Sequence, residues 1–113
     1  MSLKSPISTH ILDTTRGKPA AGVSLYKLVD GNWVLINASV TNADGRCADL
    51  LQQEAFRSGR YKLYFGVEKY FNNIRTETIY PFVEITFDCM DETGHYHIPL
   101  LLNPFGYTTY RGS

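Results

Sequence analysis

The sequence predicts an all-β fold, an antiparallel β-sandwich of two sheets with one short helix. Three observations lead there. Apolar and polar residues alternate with period two in several segments. Turn residues punctuate those segments about every 8–12 residues. A length of 113 residues with 43% hydrophobic and 13% aromatic content is enough for one packed core, so residues 1–113 read as a single domain and not as a disordered chain.

The elements follow in order. "GVSLYKLV" and "WVLINASV" flank Asp30-Gly31-Asn32, a hairpin signal because glycine accepts the positive φ that tight turns require. "NADGRC" repeats the signal at Asp44-Gly45. "RYKLYFGV" puts Tyr61, Leu63, Phe65 and Val67 on one face. In "EKYFNNIR", Tyr70, Phe71 and Ile74 are spaced for one side of a short helix. "FVEITFDC" aligns Val83, Ile85, Phe87 and Cys89 against Glu84, Thr86 and Asp88. Asp91-Glu92-Thr93-Gly94 and Asn103-Pro104-Phe105-Gly106 turn the chain on either side of "HYHIPLLL".

Composition narrows the function. Eleven basic and eleven acidic residues give a formal net charge of zero, which argues against a nucleic acid or an anionic membrane as partner. No stretch approaches the ~18 apolar residues of a membrane span, and the N-terminus has no apolar leader core. The expectation is a cytoplasmic protein, or a periplasmic or peroxisomal one had a targeting segment been removed. Cys47 and Cys89 match no metal or redox spacing and read first as small packing residues, with a single disulfide as the alternative.

Within "HYHIPLLL", alternation assigns Tyr96, Ile98, Leu100 and Leu102 to the core and His95, His97, Pro99 and Leu101 to the opposite face. Two imidazoles on one strand face can ligate zinc, and His10 supplies a third. Ordinary surface histidines account for the same spacing. Arg46, after its turn, and Arg111, near the end, read first as solvated charges, while Tyr107 and Tyr110 suit an edge strand or an interface. The chain holds no nucleophile elbow and no phosphate-binding loop.

Three segments together, "STHILDTTRGKPAAGV", "TNADGRC" and "HYHIPLLLNPFGYTTYRGS", resemble the 5-hydroxyisourate hydrolases, the transthyretin-related family of purine degradation. The terminal Tyr-Arg-Gly-Ser is the specific part, because the tail of transthyretin itself differs. The resemblance implies a transthyretin-like sandwich assembled as a homotetramer, a dimer of dimers, with sites in the cleft where dimers meet. It implies hydrolysis of 5-hydroxyisourate to 2-oxo-4-hydroxy-4-carboxy-5-ureidoimidazoline, with no metal and no cofactor. The catalytic set carried over is His10, Arg46, His97 and Ser113. The substrate-binding set is His10, Arg46, Tyr110, Arg111, Gly112 and Ser113.

On that basis His97 and His10 would flank the attacking water, one accepting its proton. Arg46 would bind a polar edge or the developing oxyanion, Tyr110 and Ser113 would hydrogen-bond the substrate, and the terminal carboxylate would pair with an arginine or tune a histidine. His95 lies outside the set, as surface or supporting residue. The competing readings are a carrier of an aromatic small molecule, a purely structural sandwich, and a zinc hydrolase.

Overall fold

A computed structural model describes residues 5–17, 19 and 21–112. Among them are eight strands and one α-helix: β1 (Ile7–Asp13), β2 (Gly22–Val29), β3 (Asn32–Val40), β4 (Arg46–Cys47), β5 (Gly59–Gly66), α1 (Val67–Asn73), β6 (Val83–Cys89), β7 (Tyr96–Asn103) and β8 (Gly106–Thr109). They form two four-stranded sheets, ordered β4-β1-β7-β8 and β3-β2-β5-β6. The expected sandwich is present. Its one departure from antiparallel pairing is β1 with β7, which run parallel.

Local chemistry accounts for the hairpins. Asp30 and Gly31 have φ values of 50° and 80°, the double positive φ of a two-residue turn whose twist matches that of the flanking strands. Pro104 and Phe105 connect β7 to β8, with Asn103 opposite Gly106 and the Asn103 carboxamide oxygen accepting from Phe105 N–H at 2.9 Å. Asn side chains mimic a backbone turn in this way.

The two inner faces make the core. Ile7 and Ile11 of β1 and Ile98, Leu100 and Leu102 of β7 meet Val23, Leu25, Leu63, Phe65, Val83 and Ile85 of the other sheet, all buried. Each such side chain contributes about 1.5–3 kcal/mol on burial. The alternation expected for "RYKLYFGV" and "FVEITFDC" holds, with Phe87 half-buried at the edge of the core. Helix α1 seats Phe71 in the core and packs Tyr70, with the following Ile74, against it. Cys47 and Cys89 are both buried free thiols, and burial pushes the Cys89 thiol up to about 12. They are packing residues, as expected.

Burial also deals with one carboxylate. Asp13, at the end of β1, is 2% exposed and accepts hydrogen bonds from Thr15 N–H, the Thr15 hydroxyl, Arg16 N–H and the Tyr70 hydroxyl. Burial acts to raise its pKa, but these donors more than offset it and hold the group below the usual carboxylate range. The Tyr70 phenol is pushed up to about 12, by burial and then by its bond to Asp13. This cluster ties the end of β1 to helix α1.

Candidate active site

With Ile7, Thr9, Ile11 and Asp13 facing inward, β1 turns Ser8, His10 and Leu12 outward. On β7 the inward set is Tyr96, Ile98, Leu100 and Leu102, which leaves His97, Pro99 and Leu101 on the same outer face. Alternation alone assigned the β7 residues correctly. The β1–β7 register then sets Ser8 beside His97 and His10 beside Pro99. His10 and His97 are therefore diagonal neighbours on one face, with Cα atoms about 8 Å apart from the strand spacing and rise.

Arg46 joins them through β4. Gly45 has φ +77°, and a Cβ there would come within 2.3 Å of the Ile11 carbonyl oxygen, so only glycine lets the turn approach β1 this closely. Ile11 N–H donates to Gly45 O at 2.7 Å. The Asn42 side-chain oxygen accepts from Asp44 N–H and Arg46 N–H. This turn delivers Arg46 directly opposite His10 in an antiparallel pair, where side chains on one face stand about 5 Å apart at Cβ. Arg46 is exposed while His10 and His97 are half-buried.

The tail closes the other side. The β7–β8 pairing sets Leu101 opposite Thr108, and the same register continued places Tyr110 across from Pro99 and reaches the bridge between His97 and Gly112. Thr109 donates its hydroxyl to Pro99 O at 2.7 Å, and Gly112 N–H donates to His97 O at 2.7 Å. Tyr110 is exposed there. Arg111 is placed differently: its guanidinium lies 4.3 Å over the Tyr96 ring and donates to His95 O at 3.2 Å. It anchors the tail instead of joining His10, Arg46 and His97. Ser113 lies outside the described residues.

His97 is the most constrained of the group. Its Nδ1 is 2.8 Å from Ser8 Oγ. Its ring runs nearly parallel to that of His95, 8° between planes and 6.4 Å between centroids, and His95 is in turn held through Nδ1 to Ser5 O. Burial, then the charges of His95, Arg46 and His10, lower the proton affinity of His97 below the ordinary 6.5. A neutral imidazole beside a guanidinium suits hydrolytic chemistry near pH 7. Among the described residues, no group of three or more His, Cys, Asp or Glu side chains is arranged to hold a metal ion, and no helix is long and apolar enough to cross a membrane.

Ser8 is the residue sequence reasoning missed. Its signal was its place two residues before His10, on the same side of an extended strand.

Among solved structures, transthyretin from Sparus aurata matches with a TM-score of 0.90 and 30% identity, over 96% of this chain and 97% of that one. Fold and site together thus define a transthyretin-like sandwich with a histidine–arginine cluster on the outer face of one sheet. The HIUase/Transthyretin family matches residues 7–112, and the chain belongs to that family. A 5-hydroxyisourate hydrolase of Mus musculus is 44% identical over 96% of each chain. Another, of Mesorhizobium japonicum, is 46% identical over 95% of this chain and 91% of its own.

Proposed function

We propose that this protein is a 5-hydroxyisourate hydrolase acting in the degradation of urate. The observation that carries the reading is the convergence of His10, Arg46 and His97 on one outer sheet face beside Gly112, in a chain whose relatives bear that name over nearly their full length. Ring opening adds water across an amide-like bond. The water oxygen bonds to the ring carbonyl carbon, the carbon–nitrogen bond breaks, and the nitrogen leaves with a proton. Such a reaction needs a base, an oxyanion stabiliser and a proton donor.

We assign to His10 and His97 the work on the attacking water, one accepting its proton while the other orients water or substrate by a hydrogen bond. Arg46 takes the oxyanion or polar-edge contact, for which its planar fork suits bidentate binding. Tyr110, Gly112 and Ser113 would shape the pocket wall, and Arg111 would brace them from behind. The chemistry uses these side chains alone, with neither metal nor cofactor. Because the cluster lies on an open sheet face in a single subunit, we further propose that a homotetramer, a dimer of dimers, covers it and completes the pocket at the dimer–dimer cleft. We infer a cytoplasmic enzyme, since two buried free thiols suit a reducing compartment.

The test is the ultraviolet decay of 5-hydroxyisourate generated in place from urate, corrected for spontaneous decay, with chelator present. The expected result is a chelator-resistant acceleration that falls about 10²–10⁴-fold in His97→Ala, the range spanned by loss of a positioned oxyanion donor or acid–base group. Absence of acceleration by the folded protein would overturn the hydrolase reading and favour a carrier.

A further inference from the structure

Which tautomer His97 adopts decides what it can do, and the two strands that meet at Ser8 bear on that choice. We propose that Ser8 is a positioning residue that holds neutral His97 with its proton on Nε2, so that His97 serves as hydrogen-bond donor to the oxyanion and His10 takes the proton of water. The proposal rests on the hydrolase reading and divides the roles within that site.

Ser8 and His97 are direct partners in the parallel β1–β7 ladder, 89 residues apart in sequence, with Ser8 Oγ 2.8 Å from His97 Nδ1. Ser8 is 7% exposed, so water competes poorly for its hydroxyl. Among the described residues Nδ1 is the hydrogen-bond partner that the structure gives this hydroxyl. A buried hydroxyl that cannot place its proton loses a hydrogen bond, whereas one that donates into Nδ1 is satisfied. Donation into Nδ1 requires that nitrogen to be unprotonated, and in a neutral imidazole the proton then resides on Nε2.

The remainder of the ring is fixed to match. Cδ2 is the atom closest to where a Cβ on Gly112 would stand, at 2.8 Å. The ring base thus stands between β1 on its Nδ1 side and the tail on its Cδ2 side. With Nδ1 committed to Ser8, Nε2 is the ring nitrogen that remains to meet a substrate. Burial, then the charges of His95, Arg46 and His10, lower the proton affinity of His97, which favours the neutral ring in which Nε2–H is the donor.

The steps balance. Water attacks the ring carbonyl carbon and passes a proton to His10, while the carbonyl electron pair moves onto oxygen and is held by His97 Nε2–H and Arg46. Collapse breaks the carbon–nitrogen bond, and His10 returns its proton to the departing nitrogen. His97 begins and ends the cycle neutral.

The experiment is long-range proton–nitrogen NMR on the whole protein labelled with nitrogen-15 histidine, with His97 assigned by loss of its signals in His97→Gln. The Nε2–H pattern is expected in the wild type, retained in Ser8→Thr and replaced by a tautomer mixture in Ser8→Ala. In the decay assay Ser8→Ala should lower kcat about 10- to 100-fold, the scale of loss that follows a small misplacement of a reacting group, with KM nearly unchanged and recovery in Ser8→Thr. An Nδ1–H pattern for His97 in active wild-type enzyme would overturn the proposal. So would wild-type kcat and tautomer in Ser8→Ala. The NMR arm needs no turnover, so an inactive protein with Nε2–H at His97 would sink the hydrolase reading while leaving the Ser8–His97 bond established.

Discussion

Gly112 and His97 are joined twice: the Gly112 N–H donates to the His97 carbonyl at 2.7 Å, and a Cβ on Gly112 would come within 2.8 Å of His97 Cδ2. A glycine is therefore needed here by proximity and not by backbone conformation. The tail is packed against the imidazole it sits beside, so tail and histidine cannot move independently.

Gly112→Ala should consequently tilt the His97 ring or lift the tail. Small misplacements of a reacting group are costly, and a fall in kcat of about 10- to 100-fold is expected. The core is not touched, so the melting temperature should change little. Turnover and thermal melts on the same preparation check this. A variant of unchanged kcat would show that the contact does not position the ring.

The Asp13–Tyr70 bond should govern stability instead of turnover. Tyr70→Phe removes one charge-assisted hydrogen bond to a buried carboxylate, at a cost of about 2 kcal/mol. Asp13→Ala should cost more, because it strands the Tyr70 hydroxyl together with the Thr15 and Arg16 N–H groups that Asp13 now satisfies. The two changes share one interaction, so the double variant should lose less than the two separate losses together. Urea denaturation of the four proteins measures this, and strict additivity would dissolve the coupling.

His97 should leave a mark on acid stability. Its proton affinity is depressed in the folded protein, by burial and by His95, Arg46 and His10. Below the ordinary value of 6.5 the unfolded chain therefore takes up a proton that the native state still refuses. Stability then falls on acidification through that window, until the pH passes the folded value, beyond which this contribution changes no further. His97→Gln should flatten the dependence as the pH falls through the ordinary imidazole range around 6.5. Equal slopes in denaturation curves of both proteins would contradict the assignment.

Much of this is legible in order along the chain because its causes are local. Period-two alternation marks "RYKLYFGV" and "FVEITFDC", and in "HYHIPLLL" it is enough to turn His97 outward. Asp30-Gly31 and Asp44-Gly45 mark turns because few other pairs accept their backbone angles. The helix over Val67–Asn73 shows in the spacing of Tyr70, Phe71 and Ile74. The resemblance of three separated segments identifies His10, Arg46 and His97 as one set, but without their arrangement in space.

What brings those residues together is not local. No spacing reveals that β1 lies parallel to β7, or that its other edge takes Arg46. That pairing is selected when two apolar faces must be buried against a second sheet and every strand edge between them must find hydrogen bonds. The same register places Ser8 on His97 Nδ1 and turns Arg111 onto Tyr96, which neither segment alone distinguishes. By itself the sequence determined the main hairpins and turns, the short helix, the inward faces of β5, β6 and β7, and the family. The tertiary structure decided which outward residues are neighbours, because strand register is a property of the whole buried core and not of any one strand.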